Sequence, residues 1–175
     1  MKLTTEVTVN EEQLEKLESL FPLLALDPGL TIGTAYCSLD TARKPWEPFN
    51  LNMITMNIAW PHDAETLTEL MCKVKTIVIE GFQVFPKTSA AGPIDNSTLS
   101  PVEVRGFVRG LLASELTNVS LRTVQPASSK AMWTSEGMKE QLGELPPSTH
   151  QKDAVRLVLF TLVTSMTKTQ TQRTK

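Results

Sequence analysis

Apolar residues in this chain gather into short runs, and two of those runs stop on a carboxylate. Leu23-Leu24-Ala25-Leu26 runs into Asp27 and then Pro28-Gly29, while Thr76-Ile77-Val78-Ile79 runs into Glu80. Both are too short for helices and predict buried strands, at about 22–27 and 76–80. The Pro28-Gly29 turn leads to a second strand at about 31–38. A Pro-bearing loop from Thr41 to Pro48 precedes a third at about 49–56, which alternates through Leu51, Met53 and Thr55. A further strand is expected over Val119–Val124.

Helical spacing fills much of the rest. Asn10-Glu11-Glu12-Gln13 is a helix start, followed by a stripe of Leu14, Leu17 and Leu20/Phe21. Pro61-His62-Asp63 opens a helix near 62–73 with Leu67, Leu70 and Met71 facing inward. Ser100-Pro101-Val102-Glu103 reads as a capping box with proline at the first helical position, starting a helix to about 116. Gln125-Pro126-Ala127-Ser128 opens one to about 142. Ser148-Thr149-His150-Gln151 is a second capping box, beginning a last helix at about 149–166. Segment 81–99 contains Gly81, Pro86, Gly92 and Pro93 and reads as a long functional loop.

The order is β-β-β-α-β-α-β-α-α with an extra N-terminal helix. It predicts an α/β fold: a five-stranded mixed sheet, three antiparallel strands then parallel ones, with helices on both faces. Residues 1–21 are expected to form an N-terminal extension, loose or strand-like over 1–9 and helical after. Residues 22–166 form one domain, and the Thr/Gln/Lys tail 167–175 frays. No internal repeat is present.

Composition narrows the class. With 41% hydrophobic and 21% charged residues among 175, the chain is an ordinary globular one with enough length for a real core. Cys37 and Cys72 lie in apolar-rich segments as small core residues, and the absence of a CxxC pair argues against structural zinc or a disulfide framework. No leader-like or membrane-spanning run is present, so a cytoplasmic location is expected. Net charge is −2, but residues 121–175 hold 8 basic and 4 acidic side chains, enough for a basic face.

Three places carry candidate chemistry. Asp27 and Glu80 end apolar strands, where a charge is costly unless paired or bound to a cation. His150 and Asp153 lie one helical turn apart at the start of the last helix and share a side of it. If the first and fourth strands are neighbours, two carboxylates fall side by side, and one takes up a proton unless a cation relieves them. Hard oxygen ligands partly open to water suit magnesium, with manganese as substitute. Two such ions about 4 Å apart can activate water and stabilise a leaving oxygen in phosphodiester hydrolysis. Plainer roles exist for each residue: Asp27 as a turn former, Glu80 as a solvated strand end, Asp153 as a favourable charge in a first helical turn.

Asp27-Pro28-Gly29 with Gly33 and Ala35, the strand ending Ile79-Glu80, and His150-Gln151-Lys152-Asp153-Ala154 together resemble the RuvC family of Holliday-junction resolvases. The resemblance spans about residues 22–165. It implies an RNase H-like (retroviral-integrase) fold and a homodimer that cuts four-way DNA junctions with magnesium, leaving 5′-phosphate ends. A bacterial or phage source, and so a bacterial cytosol, would be natural. It further implies Asp27, Glu80 and Asp153 as acidic metal ligands, with His150 as a ligand or a proton-transfer group. Lys130, in Pro126-Ala127-Ser128-Ser129-Lys130, resembles a lysine that follows the fifth strand in that family and is a candidate phosphate contact or transition-state cation.

The chain departs from the family's pattern in two places. Gln83-Val84-Phe85 follows Glu80 only after an inserted Gly81-Phe82, and no Gly-rich basic segment follows the last strand. Phe85, with Phe82 beside it, is the candidate for stacking on a junction base. Lys87, Arg105 and Arg109 join Lys130 as candidate DNA contacts, the two arginines one helical turn apart. The alternatives are a less selective flap or branched-DNA nuclease, a catalytically inactive nucleic-acid-binding module, and a phosphotransferase using an Asp-x-Gly hairpin, for which the chain is short.

Overall fold

The computed structural model describes residues 1–40, 48–81 and 96–167. Most of the two predicted loops and nearly all of the tail lie outside these residues. The described chain folds into one mixed sheet with helices on both faces. The elements are β1 (Lys2–Val7), α1 (Glu11–Leu20), β2 (Leu23–Asp27), β3 (Thr31–Asp40), β4 (Phe49–Ala59) and α2 (Ala64–Met71). They continue with β5 (Thr76–Glu80), α3 (Asn96–Ser114), β6 (Ser120–Val124), α4 (Pro126–Met132), α5 (Ser135–Leu142) and α6 (Thr149–Thr167).

Sheet order is β1-β4-β3-β2-β5-β6. The β1–β4, β4–β3 and β3–β2 pairs are antiparallel, and the β2–β5 and β5–β6 pairs are parallel. The expected mixed sheet is therefore present, with one strand more than the pattern predicts. The extra strand comes from the N-terminal lead-in. Leu3 and Thr5 are buried between exposed neighbours, and the strand pairs with β4 from Lys2↔Ile54 to Val7↔Phe49.

The central strands are buried on both sides because each row of alternate side chains meets its own helices. On one face, Leu23 and Ala25 of β2 and Val78 of β5 pack with Leu17 and Leu20 of α1, Met138 of α5 and the apolar residues of α6. On the other face, Leu24, Leu26, Ile77 and Ile79 pack with Leu67 and Met71 of α2 and Val104 and Val108 of α3. Leu23, Leu24 and Leu26 are fully buried, each worth roughly 1.5–3 kcal/mol of apolar transfer.

The α1 start forms as a full capping box: Asn10 Oδ1 accepts from Gln13 N at 2.9 Å, and Gln13 Oε1 accepts from Asn10 N at 3.0 Å. Three expectations need correction. The helix expected from Ser100 already begins at Asn96 and carries Pro101 inside it, so the proline breaks one rung instead of starting the ladder. The helix expected over 125–142 is two helices. Thr134 caps the second, its Oγ1 accepting from Gly137 N at 3.1 Å, and this local bond outcompetes continuation. Cys37 is buried in the core as expected, its thiol pushed up in pKa by burial, but Cys72, at the end of α2, is exposed. No helix of the described residues is long and apolar enough to cross a membrane.

Candidate active site

Strand periodicity aims the two terminal carboxylates. Asp27 continues the row of Leu23 and Ala25, and Glu80 continues that of Val78, so both face α6. The parallel register pairs Leu26 with Ile79, which sets the next residues, Asp27 and Glu80, side by side. Asp27 is only 7% exposed. Burial, then a hydrogen bond with Asp27 and its charge, push the Glu80 carboxyl up to about 7, against the opposing pull of Lys130 and Arg156. Two strand-end acids are thus held close enough that one of them binds a proton near neutrality.

The start of α6 brings the third group. Ser148 Oγ accepts from Gln151 N at 3.1 Å, the capping half of the expected box. The reciprocal half is missing, and Gln151 Oε1 is buried without a partner. The helix start rests directly on Gly33, the residue paired with Asp27 across β2 and β3. A Cβ at position 33 would overlap the His150 carbonyl group and stand 2.8 Å from Gln151 N. The bare glycine therefore lets α6 approach until His150 Nδ1 lies 2.7 Å from Asp27 Oδ2. The imidazole remains about half exposed, its side chain 48% accessible.

Asp153, one turn further along α6, has different company. Lys130 Nζ, from the last turn of α4, lies 3.2 Å from Asp153 Oδ2. Arg156 Nη1 donates to Asp153 Oδ1. Arg156 is itself buried, and its Nε donates to the Trp133 carbonyl at 2.8 Å. That carbonyl sits at the break between α4 and α5. Burial lowers the guanidinium pKa, while the charges of Glu80 and Asp27 raise it. The five charged side chains Asp27, Glu80, Lys130, Asp153 and Arg156 thus form one electrostatic neighbourhood, with His150 attached through Asp27.

Among the described residues no three His, Cys, Asp or Glu side chains stand together as ready metal ligands. The preformed unit is the Asp27–Glu80 pair with His150 beside it. Two hard carboxylates, Glu80 raised in pKa by burial and then by its neighbour Asp27, fit one divalent cation, because the cation removes their repulsion. Asp153 has both oxygens engaged by cations of the chain.

Of the remaining predicted residues, Arg105 and Arg109 are not brought to this place. Both are on α3, whose Val104 and Val108 pack on the opposite face of the sheet. Phe82, Phe85 and Lys87 lie outside the described residues. Sequence reasoning missed Arg156 and the Trp133 carbonyl. A signal was present: Arg156 is the one charge in the run Ala154-Val155-Arg156-Leu157-Val158-Leu159, where a solvated side chain has no place.

The fold resembles that of a solved RuvC. The structure of T. thermophilus RuvC in complex with a Holliday junction substrate matches with a TM-score of 0.57 over 83% of this chain and 96% of that one, at 17% identity. A second Thermus thermophilus RuvC structure matches with a TM-score of 0.47 over 82% and 95%, also at 17% identity. No protein-family model matches the chain, and a comparison with curated proteins returns no match. The architecture is RNase H-like.

Proposed function

We propose that the chain is a magnesium-dependent endonuclease that resolves four-way (Holliday) DNA junctions, working as a homodimer in the cytoplasm. The observation that carries this reading is the pair of adjacent strand-end carboxylates, Asp27 and Glu80, with His150 Nδ1 2.7 Å from Asp27. The RNase H-like fold supports it, as does the Holliday junction substrate named for the RuvC it resembles.

In this reading Asp27 and Glu80 hold the cation, magnesium or manganese, and Asp153 holds Lys130 and Arg156 beside them. When bound, the ion supplies an activated water and charge stabilisation at the phosphate. His150 keeps Asp27 in place through Nδ1, and its other ring nitrogen exchanges a proton with water or with the leaving oxygen. Lys130, half exposed at the mouth of the site, contacts the scissile phosphate. Phe85 and Phe82 stack on an unpaired base, and Lys87, Arg105 and Arg109 track the backbone further out.

A panel of four-way junction, flap and duplex substrates with magnesium tests the proposal. Wild type cuts the junction preferentially. Asp27→Asn or Glu80→Gln lowers cleavage by more than about 100-fold, the upper scale seen for residues that merely orient ligands, while the fold and junction binding persist. Unchanged cleavage in either variant overturns the assignment, and equal cutting of flap and junction replaces it with a less selective nuclease.

A further inference from the structure

We propose that Arg156 takes the electrostatic place of a second divalent ion, so that the centre holds a single ion at Asp27–Glu80 and Asp153 serves as counter-ion to two protein cations. This rests on the reading of Asp27 and Glu80 as metal ligands and replaces the two ions expected from the sequence with one.

The charges decide it. Asp27, Glu80 and Asp153 bring three negative charges when ionised, and Lys130 and Arg156 bring two positive ones. One divalent ion turns this set slightly positive, which a single phosphodiester balances. A second would raise the set to three positive charges, two of them beyond what that phosphodiester balances, around the buried Asp27 and Arg156, where unbalanced charge is expensive.

The geometry agrees. Arg156 and Lys130 occupy one oxygen each of Asp153. Arg156 cannot swing aside as a surface lysine does: it is 8% exposed, stands one turn along the same helix, and is tied through Nε to the Trp133 carbonyl at 2.8 Å. Freeing Asp153 for a metal would strand a buried guanidinium, which has no acceptor atom and repels a cation.

Manganese(II) titration of the full chain without DNA, with bound ions counted from the loss of the free-ion paramagnetic resonance signal, tests this. Wild type binds one ion per chain, a second binding at least ~100-fold more weakly. Arg156→Gln binds two, the second within ~10-fold of the first. Asp153→Asn leaves the affinity of the first ion within ~3-fold, because Asp153 does not ligate it. Two comparable ions in wild type, or a count of one in Arg156→Gln, overturns the inference and leaves the nuclease reading standing. So does a loss of the first ion in Asp153→Asn. If Arg156→Gln fails to fold, the wild-type count and Asp153→Asn still decide. Wild type that binds no ion, or binding unchanged by Asp27→Asn, overturns the nuclease reading itself and the inference with it.

Discussion

The two ends of the site handle negative charge in opposite ways. At the strand ends, Asp27 and Glu80 are pressed together, and the Glu80 carboxyl rises to about 7. On α6, Asp153 is matched by Lys130 and Arg156. The first region carries a charge conflict in the bare protein, and the second carries none. Lys130 and Arg156 pull on Glu80 without cancelling its upward shift, whereas they engage both oxygens of Asp153 directly.

Substitutions at the two ends should therefore change stability in opposite directions. In metal-free protein, Asp153→Asn removes the ion-pair partner of Arg156, leaving only Glu80 and Asp27 to offset its charge, and costs about 3 kcal/mol, read as a lower urea midpoint at unchanged slope. A neutral effect would mean that Asp153 is not scaffold. Gly33→Ala forces a methyl group into the His150 carbonyl and costs roughly 1–3 kcal/mol as overpacking. It also pushes His150 off Asp27, so an imidazole resonance that shifts in this variant on NMR, with the core spectrum kept, checks the contact.

Glu80 gives the smallest effect and the opposite sign. Its folded pKa of about 7 exceeds the ordinary value of 4.5, so its contribution to stability is full below about pH 4.5 and is lost as pH rises through about 7. Allowing for its partial exposure, metal-free wild type should lose on the order of 1 kcal/mol across that window. Glu80→Gln should flatten this slope and be the more stable protein at pH 8. Thermal melts in chelator at several pH values would show it, and parallel pH curves for the two proteins would remove the crowding.

Much of this was legible in the chain because alternation and termination are local. The runs ending on Asp27 and Glu80 announce buried strands, and once those strands are neighbours, period two alone aims both acids at one helix. His150 follows from the Ser148 cap. Long-range compensation was not legible. Nothing near Arg156 in sequence names Trp133, because that carbonyl becomes available only where Thr134 interrupts the helix. The strand at Lys2–Val7 was faint for a similar reason: an edge strand half open to solvent carries a weak apolar pattern, and its partner β4 lies about fifty residues away.

The corner between α4 and α5 moors the final turn of α4 to α6 at two points. Lys130 is tied to Asp153 and the Trp133 carbonyl to Arg156, only three residues apart on one side and three on the other. Such a double mooring works only at fixed spacing. One residue inserted between Lys130 and Trp133 would turn α4 by roughly 100°, so one line holds while the other is cast off. Length variation in this chain should therefore be refused between Lys130 and Trp133 and tolerated beyond α5, after Gly143.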